Sequence, residues 1–162
     1  MADRARTHGV KLIDAPVSGG GSAAAEGRLV VMAGGEPGTV AYCRPVHATY
    51  ADPVVHMGPL GTGQPAKLLN NVLFTANLAT ATDTLALGRD LAKGSAGSFA
   101  LNRVVSAGGT LERLAAHAEP LLRKDVRLVT DVAAAAGAEP DIVPSAAGAA
   151  LALMNHQRSA VS

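Results

Sequence analysis

Lys67 is the side chain with the clearest chemical potential in this sequence, because it opens a long uncharged run. No charged residue follows it until Asp83. Asn71 comes four positions later, so the two side chains share one face if this run is helical. Burial and the positive end of a helix dipole both lower the pKa of a lysine, which suits a group that transfers protons. The residue types alone also allow, and favour, a lysine whose stem packs while its ammonium reaches water.

A glycine-rich turn, Ser18-Gly19-Gly20-Gly21-Ser22, is the second candidate, because a backbone without Cβ atoms can approach a ligand closely. Two segments mimic the dinucleotide fingerprint G-x-G-x-x-G/A: Gly19–Ala24 and Gly61–Ala66. The fingerprint requires a strand–helix–strand unit with an acidic residue about 20 positions on. The next strand begins too soon after the first segment, and the chain is helical past residue 83 after the second. We therefore predict that neither is a true fingerprint.

Other chemistries find little support in the residue types. Ser18 has no evident histidine partner, which argues against a serine hydrolase, and no Gly-Lys-Ser or Gly-Lys-Thr of a Walker A motif occurs. A net charge of +1 and 2% aromatic residues give no case for nucleic acid or an anionic membrane. The histidines are scattered without metal-ligand spacing, so no metal site is predicted: His8, His47, His56, His117 and His156.

The composition indicates a globular chain with a sizeable core. The 162 residues, 48% of them hydrophobic, suffice for one ordinary domain or two small ones. Cys43 stands alone and cannot form an internal disulfide, and the opening residues lack the apolar region of a signal peptide, so we expect a cytoplasmic protein. The uncharged run 68–82 contains several asparagines and threonines, which favours a buried helix over a membrane span.

The first third of the chain alternates strands and helices. A helix ends at Gly9, and Pro37 and Pro45 lie near the start and inside a later helix at 36–48. Asp52-Pro53 is expected to turn the chain. Strands are predicted at 10–17, 28–33 and 54–57, with one helical turn at 23–26. This alternation predicts an α/β unit.

After Met57 no strand signal returns. Helices are predicted at 65–91, 99–106, 110–117 and 119–136, separated by glycine-rich segments. The residues from 140 onward hold two prolines and then a weak alanine-rich helix. We therefore expect an α/β domain over 1–60, an all-helical domain over 61–145 and a weakly ordered tail over 146–162.

Three segments, in the same order, resemble motifs of the β-hydroxyacid dehydrogenases, the family that includes 3-hydroxyisobutyrate dehydrogenase and tartronate semialdehyde reductase. They are Asp14-Ala15-Pro16-Val17-Ser18-Gly19-Gly20 (with Gly27, Leu29 and Gly34-Gly35 after it), Gly61-Thr62-Gly63-Gln64-Pro65-Ala66-Lys67-Leu68-Leu69-Asn70-Asn71, and Leu122-Arg123-Lys124-Asp125-Val126. The resemblance covers roughly residues 8–140. Asn70-Asn71 is similar to the short-chain hydroxyacid branch rather than to 6-phosphogluconate dehydrogenase, and Lys67 argues against the related imine reductases.

The resemblance implies a role for each motif. Lys67 matches the general acid/base, which would take the hydroxyl proton as hydride leaves for NAD or NADP. Asn71 would orient a small 3-hydroxy acid, and Ser18, Gly19 and Gly20 would hold its carboxylate. Lys124 either lies near the nicotinamide or forms an ion pair within its helix. The implied fold is the remnant of a Rossmann-type sheet followed by an all-α domain like that of 6-phosphogluconate dehydrogenase, through which family members form dimers.

The sequence departs from the family pattern in three places. The Rossmann half with the dinucleotide fingerprint does not precede the first motif, the further helix that the family usually has near residues 91–94 is missing, and Ser22 stands where glycine is common. Three interpretations follow: an oxidoreductase that works with a separately supplied cofactor half, a truncated and catalytically silent relative, or a helical dimerisation module. An open apolar sheet edge would also invite association.

Overall fold

The computed structural model describes residues 2–87, 97–138 and 141–159. The chain divides into two compact units, Met1–Lys67 and Leu68–Ser162. The first contains every strand of the described residues and the second is helical there, so the predicted change from α/β to all-α is confirmed.

The first unit is built on a three-stranded sheet of order β1-β2-β3. β1 pairs antiparallel with β2, whereas β2 and β3 are parallel and are joined by a helix, as a strand–helix–strand unit requires. Its elements are α1 (Ala2–Thr7), β1 (Val17–Ser18), α2 (Gly20–Ala25), β2 (Leu29–Gly34), α3 (Pro37–His47) and β3 (Ala51–Gly58).

The first predicted strand is much shorter than expected. Instead of residues 10–17, the structure has β1 at Val17–Ser18 and an isolated bridge between Asp14 and Gly34. The Asp14 N–H donates to Gly34 O (3.0 Å), and the Gly34 N–H donates to Asp14 O (2.7 Å). Pro16 accepts from the Met32 N–H at 2.9 Å but has no N–H to return. The missing donor interrupts the ladder, so the segment follows β2 without forming a continuous strand.

β3 is longer than predicted and contains Asp52-Pro53, which we expected to form a turn. β3 ends the strand order, and a proline is tolerated there because an edge strand leaves one side of its backbone unpaired. The buried apolar cluster of this unit is formed by β2, by β3 and by the helix α3 that joins them. Its members are Val31, Ala33, Val40, Ala51 and Val54.

The second unit contains the helical part of the chain. α4 (Gly63–Leu87) begins in the first unit and continues here, followed by α5 (Phe99–Ser106), α6 (Glu112–Ala135) and α7 (Ile142–Ser159). Ser98 caps α5 by accepting a hydrogen bond from the Leu101 N–H at 3.0 Å. The largest fully buried side chains here are Leu78, Leu111, Met154, Val104 and Thr75. The predicted end of α4 at residue 91 lies outside the described residues.

α6 is one helix of 24 residues with Pro120 inside it. The prediction of two separate helices at 110–117 and 119–136 was therefore wrong. An interior proline removes one hydrogen bond and normally breaks a helix. Here Ala115 and Leu122 are buried in the same core on either side of Pro120, and this burial offsets the lost hydrogen bond.

α7 differs from the weakly ordered tail expected over residues 146–162. It extends to Ser159, and Ala147, Ala150, Leu151 and Met154 are buried. Their spacing of three and four residues places them on one helix face. The prolines and the small apolar side chains gave only a weak signal for this helix, and packing of this face against the core outweighs it. Residues 160–162 lie outside the described part.

Candidate active site

The glycine-rich turn links the end of β1 to the start of α2. Ser18 pairs with Val30 of β2, and Gly19 and Gly20 follow with φ values of 126° and 71°. These conformations favour glycine because a Cβ would clash with the backbone. A Cβ on Gly19 would also lie 2.6 Å from the Ala23 Cβ. The turn is therefore sharp, and it leaves Gly20 exposed with Ser18 and Gly19 half-buried.

Lys67 lies one turn after the start of α4. The helix begins at Gly63, two residues before the proline that we expected to open it. Lys67 is half-buried, and Gly63 precedes it by four residues on the same helix face. A Cβ on Gly63 would lie 2.7 Å from Asp14 Oδ2 and 3.1 Å from Pro16 Cδ. The helix start that carries Lys67 thus contacts the segment that leads into Ser18.

Asp14 is a residue whose function the sequence did not reveal. Its Oδ1 accepts a hydrogen bond from the Gly61 N–H at 2.6 Å, and its Oδ2 accepts one from the Gln64 N–H at 2.9 Å. The carboxylate therefore satisfies N–H groups at a helix start, where the helix dipole favours negative charge. The sequence showed Asp14 only as the first letter of a motif, with no local signal for partners so far along the chain.

Asn71 and Lys124 meet at a third residue, Asp125, in the second unit. Asn71 Nδ2 donates to Asp125 Oδ2 at 2.6 Å, and Lys124 Nζ lies 3.1 Å from Asp125 Oδ1. Asp125 is 3% exposed, whereas the Lys124 side chain is 64% exposed. A buried carboxylate requires such partners, because desolvating an unpaired charge is costly. The ion pair is the helix-internal role that the sequence allowed for Lys124.

The amide of Asn71 is largely committed to protein partners. Its Oδ1 accepts from Asn70 Nδ2 at 3.3 Å, and one of its two N–H groups serves Asp125. The backbone carbonyl of Asn71 accepts from the Thr75 hydroxyl at 2.7 Å, which places a buried polar pair next to the amide. A primary amide has two N–H donors, and the Asp125 hydrogen bond uses one of them.

Ser22, which stands where glycine is common in the family, closes the far side of the glycine-rich turn. Its hydroxyl donates to Glu26 Oε1 at 3.0 Å, and Arg28 Nε donates to Glu26 Oε2 at 2.9 Å. The Arg28 hydrogen bond, the Ser22 hydrogen bond and the charge of Arg28 together hold the pKa of the Glu26 carboxyl below its usual value.

Neither glycine-rich segment has the setting of a dinucleotide site in the described residues. Gly19–Ala24 leads into α2, which has six residues, and β2 then returns antiparallel. Gly61–Ala66 leads into α4, which has 25 residues. The expectation that both are imitations is therefore supported by the chain's topology.

Two further findings concern the described residues alone. Residues 2–87, 97–138 and 141–159 contain no group of three or more histidine, cysteine, aspartate or glutamate side chains that could hold a metal ion. In the same ranges, every helix falls short of the combined length and apolar character that a membrane crossing needs.

Comparison with known proteins relates this arrangement to a family. Residues 1–58 match the family model of the NAD binding domain of 6-phosphogluconate dehydrogenase. An uncharacterised oxidoreductase of Synechocystis sp. is 31% identical over 144 residues, which are 82% of this chain and 50% of the relative. The NAD-dependent L-serine dehydrogenase of Pseudomonas aeruginosa is 39% identical over 84 residues, 52% of this chain and 28% of that protein.

Solved structures agree in fold. The 3-hydroxyisobutyrate dehydrogenase of Mycobacterium tuberculosis, solved with L-serine, superposes with a TM-score of 0.71 at 26% identity, covering 90% of this chain and 56% of the other. The 3-hydroxyisobutyrate dehydrogenase of Salmonella typhimurium gives 0.73 at 25% identity, covering 99% and 58%.

These matches define the class as dehydrogenase-like, with part of a Rossmann-type domain followed by helices. The resemblance to the β-hydroxyacid dehydrogenases that the three motifs predicted is confirmed by these matches. It spans half the length of the Synechocystis relative and less of the serine dehydrogenase.

Proposed function

We propose that this chain carries the substrate-binding and proton-transferring part of an NAD- or NADP-dependent oxidoreductase that acts on the CH–OH group of a small 3-hydroxy acid. One observation carries the proposal. The start of α4, which bears Lys67 one turn on, contacts the segment that leads into Ser18, Gly19 and Gly20. A basic group and a set of anion-binding donors are thereby anchored to one small sheet.

In this proposal the substrate carboxylate accepts hydrogen bonds from the Ser18 hydroxyl and from the N–H groups of Gly19 and Gly20. Glycines suit this task because no Cβ keeps the anion away from the backbone. The second Asn71 N–H orients the substrate hydroxyl. Support comes from the exposure of Gly20 and from the hydrogen bond that fixes the Asn71 amide to Asp125.

Lys67 acts as the general base in the oxidation direction. Its neutral amine takes the hydroxyl proton, the C–H bond of the carbinol carbon breaks, and the carbonyl forms. NAD or NADP supplies, when bound, the acceptor for the hydride that leaves with both electrons of the C–H bond. In the reverse direction the Lys67 ammonium returns the proton to the carbonyl oxygen.

The cofactor is proposed from the family match, with Lys124 near its nicotinamide end. The match of residues 1–58 to an NAD binding domain supports it. Neither glycine-rich segment has the strand–helix–strand setting of the fingerprint, so the proposal assigns the pyrophosphate to a separately supplied cofactor half. A cytoplasmic location, supported by the single Cys43, belongs to the same proposal.

The experiment is absorbance at the reduced-nicotinamide band with NAD or NADP and a panel of small 3-hydroxy acids, with and without the cofactor half of a relative as a second polypeptide. Wild-type chain is compared with Lys67→Ala and with Lys11→Ala, an exposed lysine of the same unit. We expect turnover in wild type and Lys11→Ala, and its loss in Lys67→Ala, by roughly 100-fold or more for a missing acid/base group. Equal turnover in all three proteins would contradict the role of Lys67.

The second candidate is a catalytically silent relative that serves as a helical dimerisation module. Three apolar side chains of α6 favour it, because they are exposed and recur on one face: Leu121, Leu128 and Val132. No turnover by any of the three proteins, with or without the cofactor half of a relative added as a second polypeptide, together with a stable dimer, would support this candidate.

A further inference from the structure

The carboxylate of Asp14 joins two parts of the chain that are far apart in sequence. Its partners, the N–H groups of Gly61 and Gln64, lie 47 and 50 residues away. The first lies two residues before α4, and the second is in the opening turn of that helix. Asp14 therefore acts as a helix cap supplied by another element, which fixes where α4 starts.

Two glycines provide the space for this carboxylate. A Cβ on Gly34 would meet the Asp14 carboxyl group, whose Cγ is 3.0 Å from that position. A Cβ on Gly63 would lie 2.7 Å from Asp14 Oδ2. Real Cβ atoms do not approach other atoms so closely. Because Gly34 and Gly63 have no Cβ, the Asp14 side chain has room between β2 and the start of α4.

The backbone beyond Asp14 carries this anchoring to the glycine-rich turn. Asp14, Pro16 and Ser18 each pair with β2, through Gly34, Met32 and Val30. In extended chain, alternate residues point to the same side, so Ser18 shares the side from which Asp14 reaches α4. Gly63 also meets this side, through Pro16 Cδ.

We propose that Asp14 is a positioning residue, which holds the helix start bearing Lys67 against the segment bearing Ser18, Gly19 and Gly20. The consequence for catalysis rests on the proposed function. The anchoring itself does not depend on that function, because it follows from hydrogen bonds within the first unit. Effective general acid/base catalysis requires Lys67 within hydrogen-bond reach of a substrate held by the turn, and small displacements are costly.

Amide hydrogen exchange, followed by NMR on the full chain, tests the anchoring. Asp14→Asn is compared with Asp3→Asn, the same change at an exposed residue of α1. Asparagine keeps one acceptor oxygen, so we expect at least one of the Gly61 and Gln64 amides to lose its acceptor and to exchange roughly 5- to 30-fold faster in Asp14→Asn. The buried amides of β2 serve as the reference for global unfolding. Unchanged exchange at both amides would overturn the proposal.

A second pair of variants moves the helix start without touching the charge. Gly63→Ala places a methyl group against the Met32 carbonyl oxygen, Asp14 and Pro16, whereas Gly38→Ala adds one where no atom lies within 4 Å. We expect Gly63→Ala to accelerate exchange at Gly61 and Gln64, and Gly38→Ala to leave it unchanged. Acceleration of every amide to the same extent, including those of β2, would mean global destabilisation and would overturn the local role.

Turnover separates the catalytic consequence from the anchoring. In the proposed assay, Asp14→Asn and Gly63→Ala should lower kcat per folded molecule by roughly 5- to 30-fold, with the KM of the cofactor unchanged. An unchanged kcat beside accelerated exchange would overturn the positioning role. Absence of turnover in wild type, even with the cofactor half of a relative added, would refute the proposed function, and the exchange experiment would still decide whether Asp14 anchors α4.

Discussion

At the scale of single residues, the carboxylate of Asp125 is buried and both of its oxygens have partners. These partners are the Asn71 amide and the Lys124 ammonium. Lys124 is largely in water, so its share of the interaction is screened. The Asn71 hydrogen bond is buried, and its loss would leave a buried donor without an acceptor.

Asp125→Ala should therefore lower the free energy of unfolding by about 1–3 kcal/mol, the cost of an unsatisfied buried polar group. The matched control is Asp131→Ala, an exposed aspartate of the same helix, whose effect should be close to zero. Urea unfolding followed by circular dichroism measures both. A double-mutant cycle with Asn71→Ala should show coupling, and strict additivity would contradict the contact.

Glu26 offers a pH-dependent test beside the glycine-rich turn. Arg28 and Ser22 lower the pKa of its carboxyl in the folded chain. A lowered folded-state pKa means that the associated stability is present above the ordinary pKa and is lost as pH falls through the folded value. Arg28→Gln should raise the pKa of Glu26 in an NMR titration, and Ser22→Ala should raise it less, because Arg28 is the largest cause. A greater effect of Ser22→Ala would reverse our ranking.

At the scale of elements, the turn between β1 and α2 depends on Gly19. Its φ of 126° and the short distance to Ala23 make any side chain there strained. Gly21 belongs to α2, has no positive φ and has nothing within 4 Å of a Cβ position. The two glycines therefore provide a matched pair.

Gly19→Ala should destabilise the first unit by about 1–3 kcal/mol, the usual cost of a strained backbone position. Gly21→Ala should be neutral or slightly stabilising, because alanine is the better helix former. Thermal unfolding of both variants gives the comparison. Equal melting temperatures for the two variants would contradict the conformation that we describe for the turn.

At the scale of the whole molecule, the exposed apolar side of α6 bears on association. Leu121, Leu128 and Val132 are 52%, 42% and 58% exposed, although they recur at helical spacing. Exposed apolar side chains on one helix face are typical of a surface that pairs with another protein. A second copy of this chain is the partner that the family resemblance implied.

Sedimentation equilibrium tests this proposed association. Wild type is compared with Leu128→Glu and with Thr130→Glu, which adds the same charge at an exposed polar position of α6. We expect Leu128→Glu to weaken self-association by roughly 10-fold or more, since it places a charge at an apolar contact, and Thr130→Glu to leave it unchanged. A monomeric wild-type chain would refute the dimer and leave the surface unexplained.

Much of the architecture could be predicted because its signals are local. The apolar run of β2, the proline near the start of α3 and the long uncharged run of α4 each identified an element in the right place. Local signals failed at β1, at Pro120 and in α7. In each case the outcome depended on what the segment packs or pairs with, which neighbouring residues do not reveal.

The sequence by itself determined the family, through three motifs in order, and the change from α/β to helical structure. Only the tertiary structure decided that Asp14 caps α4 and that Asp125 holds both Asn71 and Lys124. The physical reason is distance along the chain. Asp14 and Gln64 are 50 residues apart, and Asn71 and Asp125 are 54 apart. Such contacts form when packing of whole elements offsets the entropy of closing long loops, and no local pattern encodes that balance.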